Sequence, residues 1–390
     1  MTATAPAATR NGSARLLAAV GRPPTRAEHL RTFGALPGGN DVLELAAASK
    51  LRGRGGAAFP TAAKLAAVLE RDGSPVVVVN AAEGEPASKK DRSLLRVAPH
   101  LVLDGAALAA RAVGSREVVF GIGRPAPELD AALRERVRRE DRVTFELRRV
   151  PSSFVAGEET ALVQALHGRP AKPTLKPPYP SERGLGGRPT LVQNVETLAH
   201  LALIARHGPV WYAGGTALVT LGGAVARPGV HEVPLGITLA DLLASCGGVT
   251  ADLAGVLVGG YFGRWIAPDA TASVVVSSTN MGAGAILALP ASTCAAAECA
   301  RVVSYLAAEG ARQCGPCRHG LPALAGAFSR AERGEVERLA GLVARRGACR
   351  HPDGAAGFVR SALDVFAEEL ARHAARGSCG RRDEHVLPTL

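Results

Sequence analysis

The chain is poor in aromatic residues. Two Trp, four Tyr and nine Phe make up 4% of its 390 residues, too few for the stacking platform of a single-stranded nucleic-acid binder. Its 46 basic residues against 35 acidic ones give a formal charge of +11. The arginines are scattered, however, so no nucleic acid is expected as a partner. No run of 18 apolar residues occurs, which argues against a helix that spans a membrane. The stretch Met1–Leu17 has no apolar segment long enough for a signal peptide. Lysine is scarce too. Only Lys50, Lys64, Lys89, Lys90, Lys172 and Lys176 occur, a cluster that reads either as a demand for compact point charges there or as chance.

What remains is a globular composition, 47% hydrophobic and 21% charged, in a length suited to two or three domains. Ala, Gly and Val must supply the core. Of the seven cysteines, Cys246, Cys294, Cys299, Cys314, Cys317, Cys349 and Cys379, all but the first lie beyond residue 290. An odd number in a chain without a leader reads as cytosolic, with thiols serving metal or redox chemistry rather than disulfides.

Periodicity orders the chain. Residues 1–25 read as a mobile tail. Short helices at Asp41–Ala48 and Ala62–Glu70 flank a glycine-rich loop, Leu51–Thr61. Pro75–Asn80 is a continuous β-branched run, as expected of a parallel strand buried on both faces. Helices at Leu101–Val113 and Pro127–Arg139 alternate with strands at Glu117–Gly121 and Arg142–Arg149, the pattern of a covered α/β sheet. Between Thr216 and Ile266 short strands at 217–221, 230–233 and 256–258 surround a helix at Thr238–Ser245. Beyond Cys294, amphipathic helices at Glu298–Glu309, Leu321–Ala331, Glu335–Ala344 and Gly357–Ala375 predict a bundle.

Four segments carry chemistry. Gly53–Gly56 precedes a helix, and successive glycine N–H groups beside a helix N-terminus hold anions, though a plain tight turn has the same composition. Asn80-Ala-Ala-Glu83-Gly84-Glu85 follows a parallel strand, where open α/β sheets bind ligands; two solvated loop carboxylates are the plainer reading. Phe154…Gly157-Glu158-Glu159, the Pro-rich loop with Lys176 and Tyr179, and Gln193-Asn194…Thr197 offer amide, hydroxyl and charged groups to a polyhydroxylated or heteroaromatic ligand; a structural connection with capping residues fits equally well. Cys314-Gly-Pro-Cys317 is also a dithiol redox motif, but that use requires a thioredoxin βαβ setting. Between helices, with Cys349 downstream, thiolate ligation of iron–sulfur is the better reading, although four cysteines are normal.

Taken in order, these segments and Met281-Gly-Ala-Gly resemble the NADH-binding flavoprotein subunits (F subunits) of the NADH-quinone oxidoreductases, a family that extends to NAD-linked hydrogenases and formate dehydrogenases. The resemblance covers about residues 40–375. It implies a Rossmann-like α/β domain binding FMN and NADH (26–210), a β-grasp soluble-ligand-binding module (211–290), a helical domain with a four-helix bundle holding a [4Fe–4S] cluster (291–376), and a tail (377–390). It implies that Gly53, Arg54, Gly55, Gly56 and Lys64 form the nucleotide and flavin loop. Asn80 and Glu83 match flavin contacts, and Glu85 the acidic residue beside the nicotinamide. Gly157, Glu158 and Glu159 match the pocket motif, with Gln193, Asn194 and Thr197 beside it. Phe59, Phe154 and Tyr179 are aromatics for stacking, and Lys176 meets NADH phosphates. Cys314, Cys317 and Cys349 match three cluster ligands.

The activity implied is hydride transfer from C4 of NADH to N5 of FMN, then single electrons through the cluster to a ferredoxin-like iron–sulfur partner, in the cytoplasm or on the cytoplasmic face of a membrane complex without a span of its own. The sequence departs from the family at several places. Ala82 replaces an aspartate, Ala156 a cysteine, Lys89 an aromatic, and Gln193 an asparagine. Ala311 stands where the first cluster cysteine belongs. Four possibilities follow for the cluster: none, three cysteines with an outside ligand, a thiolate from Cys299, or one from Cys379. Cys299 sits about 18 Å along a continuous helix from Ala311, too far without a bend. A cluster-less diaphorase, a non-catalytic scaffold paralogue and a thioredoxin-like dithiol protein are the rival readings.

Overall fold

A computed structural model describes residues 15–39, 41–136 and 143–389. The chain divides into two compact units. The first takes most of the chain up to Leu218, together with Val230–Leu235; the second takes Glu85–Ser88, Val219–Gly229 and the chain from Gly236 onward.

The β-branched run is the heart of the first unit. β1 (Val76–Ala81) is paired in parallel on both sides, with β2 (Glu117–Ile122) and with β4 (Thr190–Asn194), and β3 (Thr144–Arg149) lies outside β2. The strand order is β3-β2-β1-β4. Alternation splits β1 between two cores: Val77, Val79 and Ala81 enter one, Val76 and Val78 the other. Each buried valine contributes roughly 1.5–3 kcal/mol relative to exposure. The larger core is filled from α1 (Arg26–Phe33), α2 (Val42–Ala48), α3 (Thr61–Leu69), α4 (Lys90–Val97), α5 (Pro99–Ala112) and α6 (Pro127–Arg136). The opposite face carries α7 (Glu159–Leu166), and the four-residue α8 (Pro180–Arg183) packs against β4 and α3. Long α9 (Val195–His207) and short α10 (Pro209–Tyr212) complete the unit, on the side of the larger core. α5 and α9 touch backbone to backbone at Gly105, where an added Cβ would fall 1.8 Å from the Leu198 carbonyl oxygen. The last residues of the predicted helix 127–139 and the first of the predicted strand 142–149 lie outside the described residues.

One expectation needs correction here. Residues 15–25 are not free tail: Leu16 and Leu17 are buried in the larger core, and the Leu17 N–H donates to Glu232 at 3.0 Å. Their apolar side chains and that buried acceptor hold the segment in place. Residues 1–14 lie outside the described residues.

The second sheet has the order β6-β5-β9-β7-β8. β5 is Thr216–Gly223, β6 Gly229–Pro234, β7 Leu253–Val258, β8 Arg264–Ile266 and β9 Ala285–Pro290, with α11 (Leu239–Ser245) capped by Thr238. β5 and β9 are parallel, whereas β7 runs antiparallel to β8 and β9. Sequence reading missed β8 and β9. β8 has only three residues, and β9 is an Ala- and Leu-rich run with one β-branched residue, which does not read as a strand. The Met281-Gly-Ala-Gly turn approaches the β7 end closely: a Cβ on Gly282 would lie 2.3 Å from the Gly259 carbonyl oxygen.

α12 (Ala295–Ala308), α13 (Leu321–Ser329), α14 (Arg333–Val343) and α15 (His351–Val365) pack in a closed ring of neighbours, α12 on α13, α13 on α14, α14 on α15 and α15 on α12. The predicted single helix 357–375 is two helices, α15 and α16 (Ala367–Arg376), divided at Phe366 (φ −108°, ψ 25°). There the Phe366 ring turns to meet Trp265 edge-on, centroids 4.9 Å apart. No single helix among the described residues is long and apolar enough to cross a membrane.

Candidate functional site

From β1 the first unit winds one way to β2 and the other way to β4. A parallel sheet whose order reverses like this leaves a crevice beyond the carboxyl ends of the two strands, and ligands bind there. Asn80 on β1 and Asn194 on β4 are register partners at that edge, with Val79 opposite Gln193 one step back.

The predicted residues of this unit converge on the crevice. The glycine loop folds back on itself, with the Gly53 N–H donating to the Phe59 carbonyl at 2.9 Å, and leads directly into α3. A Cβ on Gly55 would lie 3.5 Å from the Asn194 Cβ. The Arg54 N–H donates to Thr197 Oγ1 at 2.9 Å. Asn80 Nδ2 donates to the Gly157 carbonyl at 2.8 Å, and a Cβ on Gly157 would meet open space. Lys64 reaches Glu159 at 3.0 Å, while Lys176 reaches Glu158 at 2.9 Å and Glu159 at 2.7 Å. Glu158 also caps α7 through the Thr160 and Ala161 N–H groups. Burial would raise the Glu159 pKa, but Lys64 and Lys176 hold it below the usual carboxylate range. Burial would lower the Lys176 pKa, and the two glutamates hold it up. Phe59 and Tyr179 are each half exposed, as stacking surfaces need to be; Phe154 is partly buried, next to Gly84, whose Cβ would strike the Ser153 carbonyl at 2.5 Å.

Two predicted side chains point elsewhere. Arg54 is buried and donates to Tyr212 Oη (2.9 Å) and the Thr216 carbonyl (3.0 Å). Its guanidinium is therefore a core bracket, and only its backbone belongs to the loop. The Glu83 carboxylate accepts the Asp91 and Arg92 N–H groups at 2.8 and 3.3 Å, across the N-terminus of α4. Burial, with Asp91 adding, pushes its pKa up to about 7. In the second unit, Glu85 accepts the Ala87 N–H at 3.2 Å and the Tyr261 N–H at 2.9 Å. Burial raises its pKa to about 7 despite both donors.

Sequence reading missed the charges beneath the crevice. Lys90 is buried, 2.6 Å from Asp91 and 2.9 Å from Glu196. Asp91 accepts from Asn194 Nδ2 at 2.6 Å, so the trio fixes the Asn194 amide. Burial opposes ionisation of Glu196, yet Lys90 holds its pKa down to about 2. The one local signal was Glu196 at the start of an apolar helix; Lys90 and Asp91 sit in a run of charges that reads as a solvated face. Two buried polar atoms at the crevice have no hydrogen-bond partner among the described residues: Gln193 Nε2 and Thr61 Oγ1. Such orphans are rare in folded proteins and ask for a ligand or water.

In the second unit, Cys314, Cys317 and Cys349 approach one another. Cys317 enters the interior on a π-helical turn, Pro316–Gly320, a distortion frequent at functional sites. Burial, and then Cys314 and Cys349, push its pKa up to about 12.

Comparison with known proteins decides the family. The chain is 30% identical to F subunit 2 of the NADH-quinone oxidoreductase of Rhizobium meliloti over 383 residues, covering 87% of this chain and 90% of that protein. The chain belongs to the family of NADH-quinone oxidoreductase F subunits. The F subunit of the Rhodobacter capsulatus enzyme is 32% identical over 341 residues, 78% of this chain and 79% of that one. Three family models match in order: Nuo51 FMN-binding domain (46–203), SLBB domain (218–259) and NADH-ubiquinone oxidoreductase-F iron-sulfur binding region (297–373). Among solved structures, an air-oxidised NAD+-reducing [NiFe]-hydrogenase superposes with a TM-score of 0.78 at 30% identity, over 89% of this chain and 64% of that one.

Both cofactors of this family can be tested against these residues. The crevice fits FMN: it offers loop N–H groups, two unpartnered polar atoms and the space beside Gly157. The cysteine site fits three thiolates of a [4Fe–4S] cluster, with Ala311 at the fourth place. Neither proposed substitute reaches it. Cys379 lies within 4.8 Å of Cys294, at the N-terminal end of α12, whereas Ala311 follows its C-terminal end. The 14 residues of α12 separate those ends by about 21 Å. Fully buried Cys299 lies in the second turn of α12, near Cys294 as well.

Proposed function

We propose that this chain is the NADH-oxidising flavoprotein of an electron-transfer assembly, an NADH dehydrogenase that passes electrons through a [4Fe–4S] cluster to an iron–sulfur partner. The observation that carries this reading is the convergence, beyond β1 and β4, of the glycine loop, the Asn80–Asn194 pair and the unpartnered Gln193 amide. FMN, when bound, supplies a hydride-accepting ring and the passage from two-electron to one-electron transfer. The chain contributes position and charge. The Gly55 and Gly56 N–H groups and the α3 N-terminus face a phosphate. Lys64 and Lys176 bring compact positive charge, with Glu158 and Glu159 holding both lysines in place. Gln193 Nε2 and Thr61 Oγ1 donate to ligand acceptors. Phe59 and Tyr179 offer faces to nicotinamide or adenine, and Glu85 is the acidic group of the NADH reaction.

Cys314, Cys317 and Cys349 hold the cluster. Around them stand exposed Arg312, Arg318, Arg345, Arg346 and Arg350, which suit an acidic, ferredoxin-like partner. The chain works in the cytoplasm, free or against the cytoplasmic face of a membrane complex. A cluster-less flavin diaphorase is the second reading, favoured by Ala311.

The test is the visible spectrum of anaerobically purified protein, before and after NADH. Flavin bands that bleach support the dehydrogenase, and a broad absorbance beyond them, with iron and acid-labile sulfide, supports the cluster. Flavin alone selects the diaphorase. A preparation that stays colourless when FMN is supplied refutes both.

A further inference from the structure

A second group of metal-binding side chains lies away from the cluster cysteines. The thiols of Cys294 and Cys379, His373 Nε2 and a Glu369 carboxylate oxygen all lie within 4.8 Å of one another. We propose that these four residues form a structural zinc site that fastens the carboxyl-terminal segment to the start of α12.

Four ligand atoms this close together can share one ion. Cys294 Sγ is 3.2 Å from His373 Nε2, and Cys379 Sγ is 3.6 Å from Glu369 Oε1. Zinc–ligand bonds of about 2.0–2.3 Å at tetrahedral angles require ligand atoms roughly 3.3–3.8 Å apart. Small side-chain rotations therefore close the shell. Two thiolates with an imidazole select zinc over the hard cations, which prefer all-oxygen shells. Four protein ligands with no open position mark a structural site rather than a catalytic one.

The fold delivers these ligands from three places. Cys294 is the N-cap of α12. Glu369 and His373 stand one turn apart on α16, on the same face. Cys379 follows the left-handed Gly377 that ends α16, and Gly380 (φ +75°) turns the chain again. The returning segment is already held beside Cys294: the Cys294 N–H donates to the Arg382 carbonyl at 2.7 Å and the Arg382 N–H to the Ser292 carbonyl at 3.0 Å. Leu387 is fully buried, with its N–H donating to Glu298 at 2.7 Å. An outer shell exists as well. Arg381 pairs with the other Glu369 oxygen at 2.6 Å, and the Ala296 N–H donates to Glu369 Oε1 at 3.0 Å. Such partners orient metal ligands.

Binding releases two protons, one from each thiol, to solvent. Two thiolates, the carboxylate and neutral His373 then leave the zinc complex with one negative charge, which Arg381 balances. No oxidant or reductant is involved.

The experiment uses the full chain, purified with zinc in the medium and washed with a weak chelator. Zinc is measured in the parent, in Cys379→Ser, in Cys294→Ser and in the Cys314→Ser/Cys317→Ser double variant. The expected result is about one equivalent in the parent and in the double variant, with a loss of about tenfold or more in the other two. Cys379→Ser alters only the returning segment, so retained helical circular dichroism there separates metal loss from misfolding. Cobalt substitution of the double variant should give thiolate charge-transfer and tetrahedral d–d bands, and removing zinc should speed tryptic cleavage at Arg381 and Arg382. The proposal is overturned if the parent binds no zinc, if Cys294 and Cys379 are found as a disulfide, or if zinc follows Cys314 and Cys317 instead. Because the double variant lacks cluster ligands, this outcome is independent of the electron-transfer reading.

Discussion

Lys90→Met is the most informative perturbation of the crevice. The ammonium lies 2.6 Å from Asp91 and 2.9 Å from Glu196, in a place almost without solvent. Methionine keeps most of the volume but leaves two buried carboxylates without their cation. Breaking a buried pair this way costs about 3–5 kcal/mol. For a unit of this size that is a fall in Tm of roughly 6–20 °C. The pH dependence carries the mechanism. In the parent, Glu196 has its pKa lowered to about 2, so its stabilisation is complete above the unfolded value near 4.5 and fades as pH falls toward 2. In the variant, burial loses its main opponent and pushes both carboxyl groups up, with only Arg54 and His200 still favouring ionised Glu196 and the Asn194 amide ionised Asp91. A raised carboxyl destabilises the fold progressively as pH climbs through and beyond 4.5. The gap between parent and variant should thus be smallest near pH 3, already open at pH 5 and widest at pH 8. Adding Glu196→Gln should recover at least about 1 kcal/mol. The assay is urea unfolding at four pH values, with FMN titration alongside, because a released Asp91 no longer fixes Asn194. A gap that does not change with pH, or a Tm within about 2 °C of the parent, refutes the account of the trio.

Three further outcomes are expected. Gln193→Leu removes a donor that has no partner in the protein, so stability should hold or rise, while FMN binds about 5–10-fold more weakly; lower stability with unchanged FMN affinity would contradict this. Glu85→Gln should change NADH kinetics more than FMN content. It should also abolish the loss of stability that the parent, with its carboxyl raised to about 7, shows as pH rises from about 4.5 through 7; unchanged kinetics would remove Glu85 from the NADH site. Ala311→Cys supplies the fourth thiolate, and after anaerobic reconstitution iron should rise to about four per chain; iron analysis showing no gain over the parent counts against the alignment of that position.

Local pattern was enough for much of the first unit. The run Val76–Val79 announced a strand buried on both faces because β-branched residues without alternation have few other uses, and the helices before and after it showed their apolar period directly. The crevice residues were legible because short motifs at strand ends keep their meaning without tertiary information. The divided helix at Phe366 was not legible, since both halves share one amphipathic pattern and the break answers to Trp265, far away in the chain.

The sequence by itself determined the order of elements, the parallel central strand and the residues at its carboxyl edge, all consequences of backbone sterics and spacing over a few residues. Only the tertiary structure decided which charges became partners. It turned the Arg54 guanidinium inward to Tyr212, placed Lys90 between Asp91 and Glu196, and set Cys294 against His373, 79 residues away. Such pairings depend on how elements stack across the fold, and no local period records them.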